Sequence, residues 1–265
     1  MELASITPVL LCFNEQDNLP RTLSALRAFP RVVIVDSGST DASRAIAREF
    51  GNVQWFERPF DQHAAQWQHA LSRSETDWVL SLDADYVLPE PLLAEIATLD
   101  PHAASVFQIG FRFFVHGAPL SATLLPPRAM LFRRSQARYV QDGHTQVLHY
   151  EGHAPLLRER AEHDDRKPLT RWLWAQIRYV QLEADKLLAA DPQMLDRADR
   201  LRRHLFVMPW LAPAYILIGK GLLRDGWRGW HYALSRALVE LMLSLTLIDR
   251  RFRCKPDGRK PEPPP

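Results

Sequence analysis

Trp78-Val79-Leu80-Ser81-Leu82-Asp83-Ala84-Asp85 reads as a short buried β-strand that stops abruptly at two carboxylates. An apolar run of this length, closed by turn residues, suits a strand covered on both faces, as in a parallel sheet. Working outward, Val32-Val33-Ile34-Val35 ends in the same way at Asp36, and a run over residues 6–13 ends at Asn14-Glu15. A weaker strand follows over residues 53–57. Between the strands lie helical patterns. Leu19, Leu23 and Leu26 form one stripe, Ala42, Ala45, Ile46 and Phe50 share a face before Gly51, and a third helix passes through Gln66, Ala70 and Leu71. This βαβ rhythm predicts an α/β fold with a mostly parallel, doubly wound sheet. Ligands of such sheets sit outside the carboxyl ends of the strands, where Asn14, Glu15, Asp36, Asp83 and Asp85 converge.

Beyond residue 104 the pattern changes to β-like runs with Gly, Pro and aromatics, over residues 107–115, 129–132 and 146–150, which predicts a mixed sheet. A helix is expected over residues 169–188, then an apolar and basic stretch broken by Pro209 and Pro213. The Pro-rich, charged residues 255–265 have too little apolar surface to fold. The expected organisation is therefore a domain over residues 1–165, with halves 1–100 and 101–165, a helical region over 166–254 and a disordered tail.

With 265 residues, 46% hydrophobic and 24% charged, the chain can bury a real core, and a net charge of +2 gives no field that recruits nucleic acid. Cys12 and Cys254 stand far apart, without histidines at zinc-ligand spacing, which fits a reducing compartment. Acidic Glu2 and the early end of the first apolar run argue against a secretory signal, so a cytoplasmic location is expected. The apolar stretches 205–218 and 233–248 are short, or interrupted by Arg236 and Glu240, for a bilayer span. Their flanking arginines and the tryptophans Trp210, Trp227 and Trp230 suit a pair of amphipathic helices lying on an anionic inner leaflet. A soluble helical subdomain or a dimer interface is the alternative.

Two carboxylates spaced i, i+2 at a turn can approach one cation. Hard oxygen ligands without clustered thiols favour Mg²⁺ or Mn²⁺, with Asp85 as the direct ligand and Asp83 beside it. The alternative is a solvated acidic turn. His163-Asp164-Asp165 offers a third ligand or an acceptor contact, against a solvated loop before a helix.

Three blocks, residues 8–15, 33–41 and 77–85, resemble in order and spacing the inverting family 2 glycosyltransferases of the GT-A fold. The likeness is nearest to the lipopolysaccharide-core, glucosyltransferase-type subgroup and extends through Asp142-Gly143-His144-Thr145-Gln146, residues 163–172 and residues 225–229. It implies a GT-A domain with a nucleotide-sugar half and an acceptor half, followed by an amphipathic helical appendage. It also implies a nucleoside-diphosphate sugar donor, with UDP as the expected nucleotide, and a glycan or lipid-linked acceptor in cell-envelope synthesis. By the same resemblance the loop around Pro8, Asn14 and Glu15 borders the nucleoside, and Asp36 bonds the base or ribose. Asp142, with His144 as the alternative, is the general base. Many relatives carry a Lys or Arg followed by Asn in the helix before the acidic turn, where this chain has Gln66-Trp67-Gln68-His69. The diphosphate-binding charge is therefore assigned to Arg133, with Arg134.

Rival classes fare worse. No Gly-x-Gly-x-x-Gly or P-loop follows the first strand, against a dinucleotide oxidoreductase. A sugar-nucleotide nucleotidyltransferase would want a Gly-rich loop in place of Asn14-Glu15-Gln16-Asp17, and an inactive membrane scaffold has no need of the retained aspartates.

Overall fold

A computed structural model describes residues 1–142 and 145–253, with Asp142 and Thr145 described by backbone alone. The chain divides into two compact units, Met1–Pro168 and Leu169–Pro265.

The strands of unit 1 are β1 (Ile6–Cys12), β2 (Val32–Asp36), β3 (Val53–Glu57), β4 (Trp78–Asp83), β5 (Tyr86–Val87), β6 (Val106–Val115), β7 (Ala118–Pro119), β8 (Arg128–Arg133), β9 (Ala137–Asp142), β10 (Thr145–Tyr150) and β11 (Leu156–His163). Its helices are α1 (Leu19–Ala25), α2 (Ser43–Arg48), α3 (His63–Ser72) and α4 (Glu90–Thr98). The main sheet runs β3-β2-β1-β4-β8-β6-β11-β5, with β7 added to β6, and β9 and β10 form a separate hairpin. β3, β2, β1 and β4 are parallel, β8 is antiparallel to both its neighbours, and β6 and β11 are again parallel. The sheet is thus parallel through its first half and mixed through its second.

Alternate residues of the central strands feed two cores, because successive side chains of a strand point to opposite faces. Leu10, Ile34, Leu80 and Leu82 pack with Leu19, Leu23 and Leu26 of the α1 region and with Leu92 and Ile96 of α4. Val9, Val33, Val35 and Val79 pack instead with Trp67, Ala70 and Leu71 of α3 and with Tyr139 and Leu148 of the hairpin. Each such side chain contributes about 1.5–3 kcal/mol by leaving water. Two covered faces explain why these strands read as continuous apolar runs.

One expectation drawn from the resemblance needs correction here. Pro8 does not lie in a bordering loop: it sits inside β1, as the apolar run over residues 6–13 has it, opposite Leu80 of β4. Pairing with β2 begins only at Val9, so the proline takes the kind of edge position that its missing N–H requires.

Unit 2 is helical, with α5 (Leu169–Ala189), α6 (Arg197–Arg202), α7 (Met208–Ala214), a π-helical turn (Tyr215–Gly219) and α8 (Trp227–Arg253). Pro209 occupies the first turn of α7, where an N–H has no partner to lose. Pro213 lies inside α7, and the π turn follows directly, as expected where a proline interrupts the i→i−4 ladder. Val180, Ala184 and Leu187 of α5 pack on Leu243 and Leu247 of α8. Gly229 lets α8 approach the Leu222 carbonyl, since a Cβ there would stand 1.9 Å from that oxygen. The tail residues 255–265 lie outside the described residues.

Candidate active site

The acidic turn after β4 is met by a segment from the far end of unit 1. β5 pairs with β11 through Tyr86↔His163, and the Asp164 N–H donates to the Asp85 carbonyl at 3.2 Å. His163 Nε2 thereby stands 3.1 Å from Asp85 Oδ2, with both side chains largely buried. Burial acts to raise the Asp85 carboxyl, yet the charges of His163 and Lys167 outweigh it and hold the group below the usual carboxylate range. Burial acts to lower His163, and the Asp85 carboxylate reverses this, so the imidazole is raised above its ordinary value. Its ring packs on Tyr86 and Phe113, with centroids 5.3 and 4.6 Å away.

Residues 163–167 are not a solvated loop. Asp164 is buried and takes Arg21 Nη1 at 2.7 Å and Arg166 Nη2 at 2.6 Å. Asn18, wholly buried, donates to Glu15 Oε2 at 2.8 Å and to Asp165 Oδ1 at 2.9 Å. Its carbonyl accepts from Arg21 Nη2 at 3.0 Å and from the Arg166 N–H at 2.9 Å. Lys167 Nζ closes the network at 2.7 Å from Glu15 Oε1, across 152 residues of sequence. Burial acts to lower the Lys167 ammonium, and Glu15 and Asp165 more than reverse it, so the charge is retained. Glu15 is therefore an anchor for this segment and not an open residue beside the sheet.

The other expected residues fall into two groups. Asn14, in the left-handed region at φ 55°, accepts from the Thr40 and Asp41 N–H groups at 2.7 and 3.3 Å, joining the β1 and β2 loops. Asp36 is buried and accepts from the Gly38 and Ser39 N–H groups at 3.1 and 2.8 Å and from the Ser39 hydroxyl, so it shapes its own turn at the end of β2. Asp83 remains half-exposed, 3.6 Å from Arg128 Nη1, which also donates to the Tyr86 hydroxyl at 3.3 Å. The β9–β10 hairpin is tied down by Tyr139 donating to Ser81 Oγ at 2.8 Å and by the Ala64 N–H donating to Gln141 Oε1 at 3.1 Å. Asp142 ends β9 opposite Thr145, and His144 lies outside the described residues.

Arg133 is not at the site. It pairs with Trp78 at the amino end of β4, bonds Asp77 and the Pro101 carbonyl, and lies over the Trp78 ring. Arg134 donates to the Ser74 carbonyl. The reason is strand direction: β8 runs antiparallel to β4, so its first residue, Arg128, and not its last, comes beside Asp83. Sequence reasoning missed Arg128 and Asn18, and Arg166-Lys167 stood inside a matched block without a role. Gln66 of α3 is also structural, donating to Ser37 Oγ and to the Arg58 carbonyl, both at 3.1 Å.

Among the described residues no group of three His, Cys, Asp or Glu side chains is arranged to hold a metal ion. The 3.1 Å between Asp85 Oδ2 and His163 Nε2 is an ion-pair contact in which the imidazole N–H donates to the carboxylate. The hard donors this turn offers a Mg²⁺ or Mn²⁺ are therefore the carboxylate oxygens of Asp85 and of half-exposed Asp83.

The sequence profile of Glycosyl transferase family 2 matches residues 8–160, from within β1 to within β11. The chain belongs to that family. This family 2 protein is 32% identical over 91 residues to the lipopolysaccharide core biosynthesis glycosyltransferase LpsC of Rhizobium meliloti, covering 33% of this chain and 34% of that one. It is 27% identical over 271 residues to a TPR repeat-containing protein of Synechococcus elongatus, covering 94% of this chain and 63% of that one. The matches thus span about a third of LpsC and under two thirds of the TPR protein. Among solved structures, mannosyltransferase PcManGT from Pyrobaculum calidifontis, in complex with GDP-Man and Mn²⁺, superposes with a TM-score of 0.52 at 14% identity, over 95% of this chain and 88% of that one. S. aureus TarS 1-349 in complex with UDP-GlcNAc gives 0.51 at 16% identity, over 93% and 91%. These likenesses are of fold, and the fold is GT-A.

Proposed function

We propose that this family 2 chain transfers a sugar, with inversion, from a nucleoside-diphosphate donor to a hydroxyl of a glycan or glycolipid in cell-envelope polysaccharide or lipopolysaccharide synthesis. It acts in the cytoplasm, at the inner face of the membrane, and UDP is the expected nucleotide. The observation that carries this reading is the acidic turn of Asp83 and Asp85 at the carboxyl end of β4, where a parallel sheet binds nucleotides, with the Asp85 carboxylate kept charged beside His163. Asp85, with Asp83 beside it, would hold a divalent cation, which would supply positive charge against the departing diphosphate.

The remaining roles follow from position. Arg128, beside Asp83, supplies the cation that α3 lacks and meets phosphate oxygens with a planar fork. Asp83 accepts from a hydroxyl of the donor. Asp36 keeps lone pairs for a ribose hydroxyl or base N–H, while Gly38 and Ser39 fix its orientation. Asn14 and Glu15 hold the loops that form this border. Asp142, at the end of β9 on a hairpin anchored to β4 and α3, takes the proton of the acceptor hydroxyl, with His144 as the alternative base. The hydroxyl oxygen forms a bond to the anomeric carbon as the bond to the diphosphate oxygen breaks, and the diphosphate leaves with the electron pair.

A panel of nucleoside-diphosphate sugars, assayed for released nucleoside diphosphate with Mn²⁺ or Mg²⁺, tests the reading. Asp85→Asn should keep the fold and lose about 100-fold or more in turnover. Pyrophosphate as product, no product from any donor, or parental turnover in Asp85→Asn at limiting metal would sink it.

A further inference from the structure

The outer faces of α7, the π turn and α8 carry an apolar surface that the proposed chemistry does not use. On α8, Trp227, Trp230, Leu234, Leu238, Leu241 and Leu245 are exposed. At 3.6 residues per turn they fall within about 80° of arc and form a stripe about 27 Å long. On the neighbouring elements Trp210 and Ile218 are 77% and 75% exposed. A continuous apolar stripe of this length is a contact surface and not ordinary surface scatter.

Charge tells what the surface meets. Residues 205–253 hold seven Lys and Arg against three Asp and Glu, and Glu240 and Arg236 pair with each other in a buried ion cluster. Lys220 and Arg224 are exposed just before α8, and Arg251 is exposed in its last turn, between Arg250, which pairs with Asp185 of α5, and Arg253, which pairs with Asp249. Tryptophans beside basic residues on an apolar face suit the boundary between headgroups and acyl chains. A second copy of the chain would bring like charges together around the same stripe, whereas an anionic surface complements them.

The packing of α8 suits it to lie along that boundary and not across it. α8 is the one described helix long and apolar enough to cross a bilayer by length and composition. Its inner face, however, is committed to protein: Ala233, Leu243 and Leu247 are buried, and Glu240, 1% exposed, is held by Arg202 Nη2 at 3.3 Å and Arg236 Nη2 at 2.5 Å. Glu240 is near the middle of α8, so a spanning orientation would carry this ion cluster to the centre of the hydrocarbon, where charge is most costly.

We infer that the outer face of α7, the π turn and α8 docks on a bilayer surface bearing anionic headgroups, with the stripe immersed and the basic residues at the phosphates. The inference rests on the glycosyl-transfer reading only for its purpose, access to a lipid-borne acceptor; the docking stands without it. The test is flotation of the purified full chain with vesicles of phosphatidylcholine alone or mixed with phosphatidylglycerol, at low and high salt. The parent should float with the mixed vesicles and be released by salt. The exposed pair Leu234→Ser with Leu241→Ser should weaken partitioning about tenfold or more. Leu156→Ser, at an equally exposed apolar position in unit 1, should leave it unchanged. Equal recovery with both vesicle types, a double variant that floats like the parent, or retention through high salt and alkaline carbonate would each overturn the inference. So would a concentration-dependent dimer that the double variant abolishes in the absence of vesicle binding. Nucleoside diphosphate release in vesicle-free buffer is read in parallel, and its loss bears on the glycosyl-transfer reading and not on docking.

Discussion

At Asn18 both amide hydrogens and the carbonyl oxygen are in use, and the partners are Glu15, Arg21 of α1, and Asp165 and Arg166 of the strap that carries His163. Asn18→Ala leaves Glu15, Asp165 and the Arg166 N–H short of partners in a buried place. Such a loss costs about 2–3 kcal/mol, measurable as a lower urea midpoint, and turnover should fall with it because His163 is no longer held. Unchanged midpoint and turnover would show that the network is not what positions the strap. The two arginines of β8 make a second comparison. Arg128→Gln removes a cation beside Asp83 and should raise the donor KM about tenfold or more, whereas Arg133→Gln, at the other end of the strand, should leave KM as it was. The reverse ranking would mean that the donor lies at the amino end of β4.

Among the elements, α8 depends on one close approach. A methyl group at Gly229 would meet the Leu222 carbonyl oxygen, a backbone atom that cannot swing aside as a flexible side chain does. Gly229→Ala should therefore destabilise unit 2 by about 1–3 kcal/mol, although alanine is the better helix former. Loss of helical circular dichroism on heating would begin at lower temperature in the variant. A variant as stable as the parent would show that α8 can shift away from Leu222 without cost. The β9–β10 hairpin shows a related dependence: it has no place in the main sheet and is located by Tyr139, which bonds Ser81 and stacks on Trp67 with centroids 5.1 Å apart.

For the whole molecule, two units with separate cores predict separate thermal responses. A nucleotide that binds unit 1 at about 100 times its Kd adds about 2.7 kcal/mol, which shifts the transition of a unit of this size by about 5–10 °C. Calorimetry with UDP or GDP and Mn²⁺ should raise one transition and leave the other in place. A single transition that moves as a whole would show that the units unfold together.

The sequence by itself determined the strands that bind and the residues at their ends. Residues 6–12, 32–36 and 78–83 are legible because burial on both faces demands unbroken apolar runs, and Asp36, Asp83 and Asp85 follow directly from where those runs stop. The apolar run over residues 6–13 already placed Pro8 in the strand, and the loop around it came from the resemblance; why a proline is tolerated there is readable only once it is known where the neighbouring strand begins to pair. Only the tertiary structure decided which distant groups meet the acidic turn. Apolar periodicity is local, repeating every two residues or every 3.6, and carries neither the direction of β8 nor the pairing of β5 with β11. Those two long-range choices put Arg128 in place of Arg133 beside Asp83, and bring His163 to Asp85.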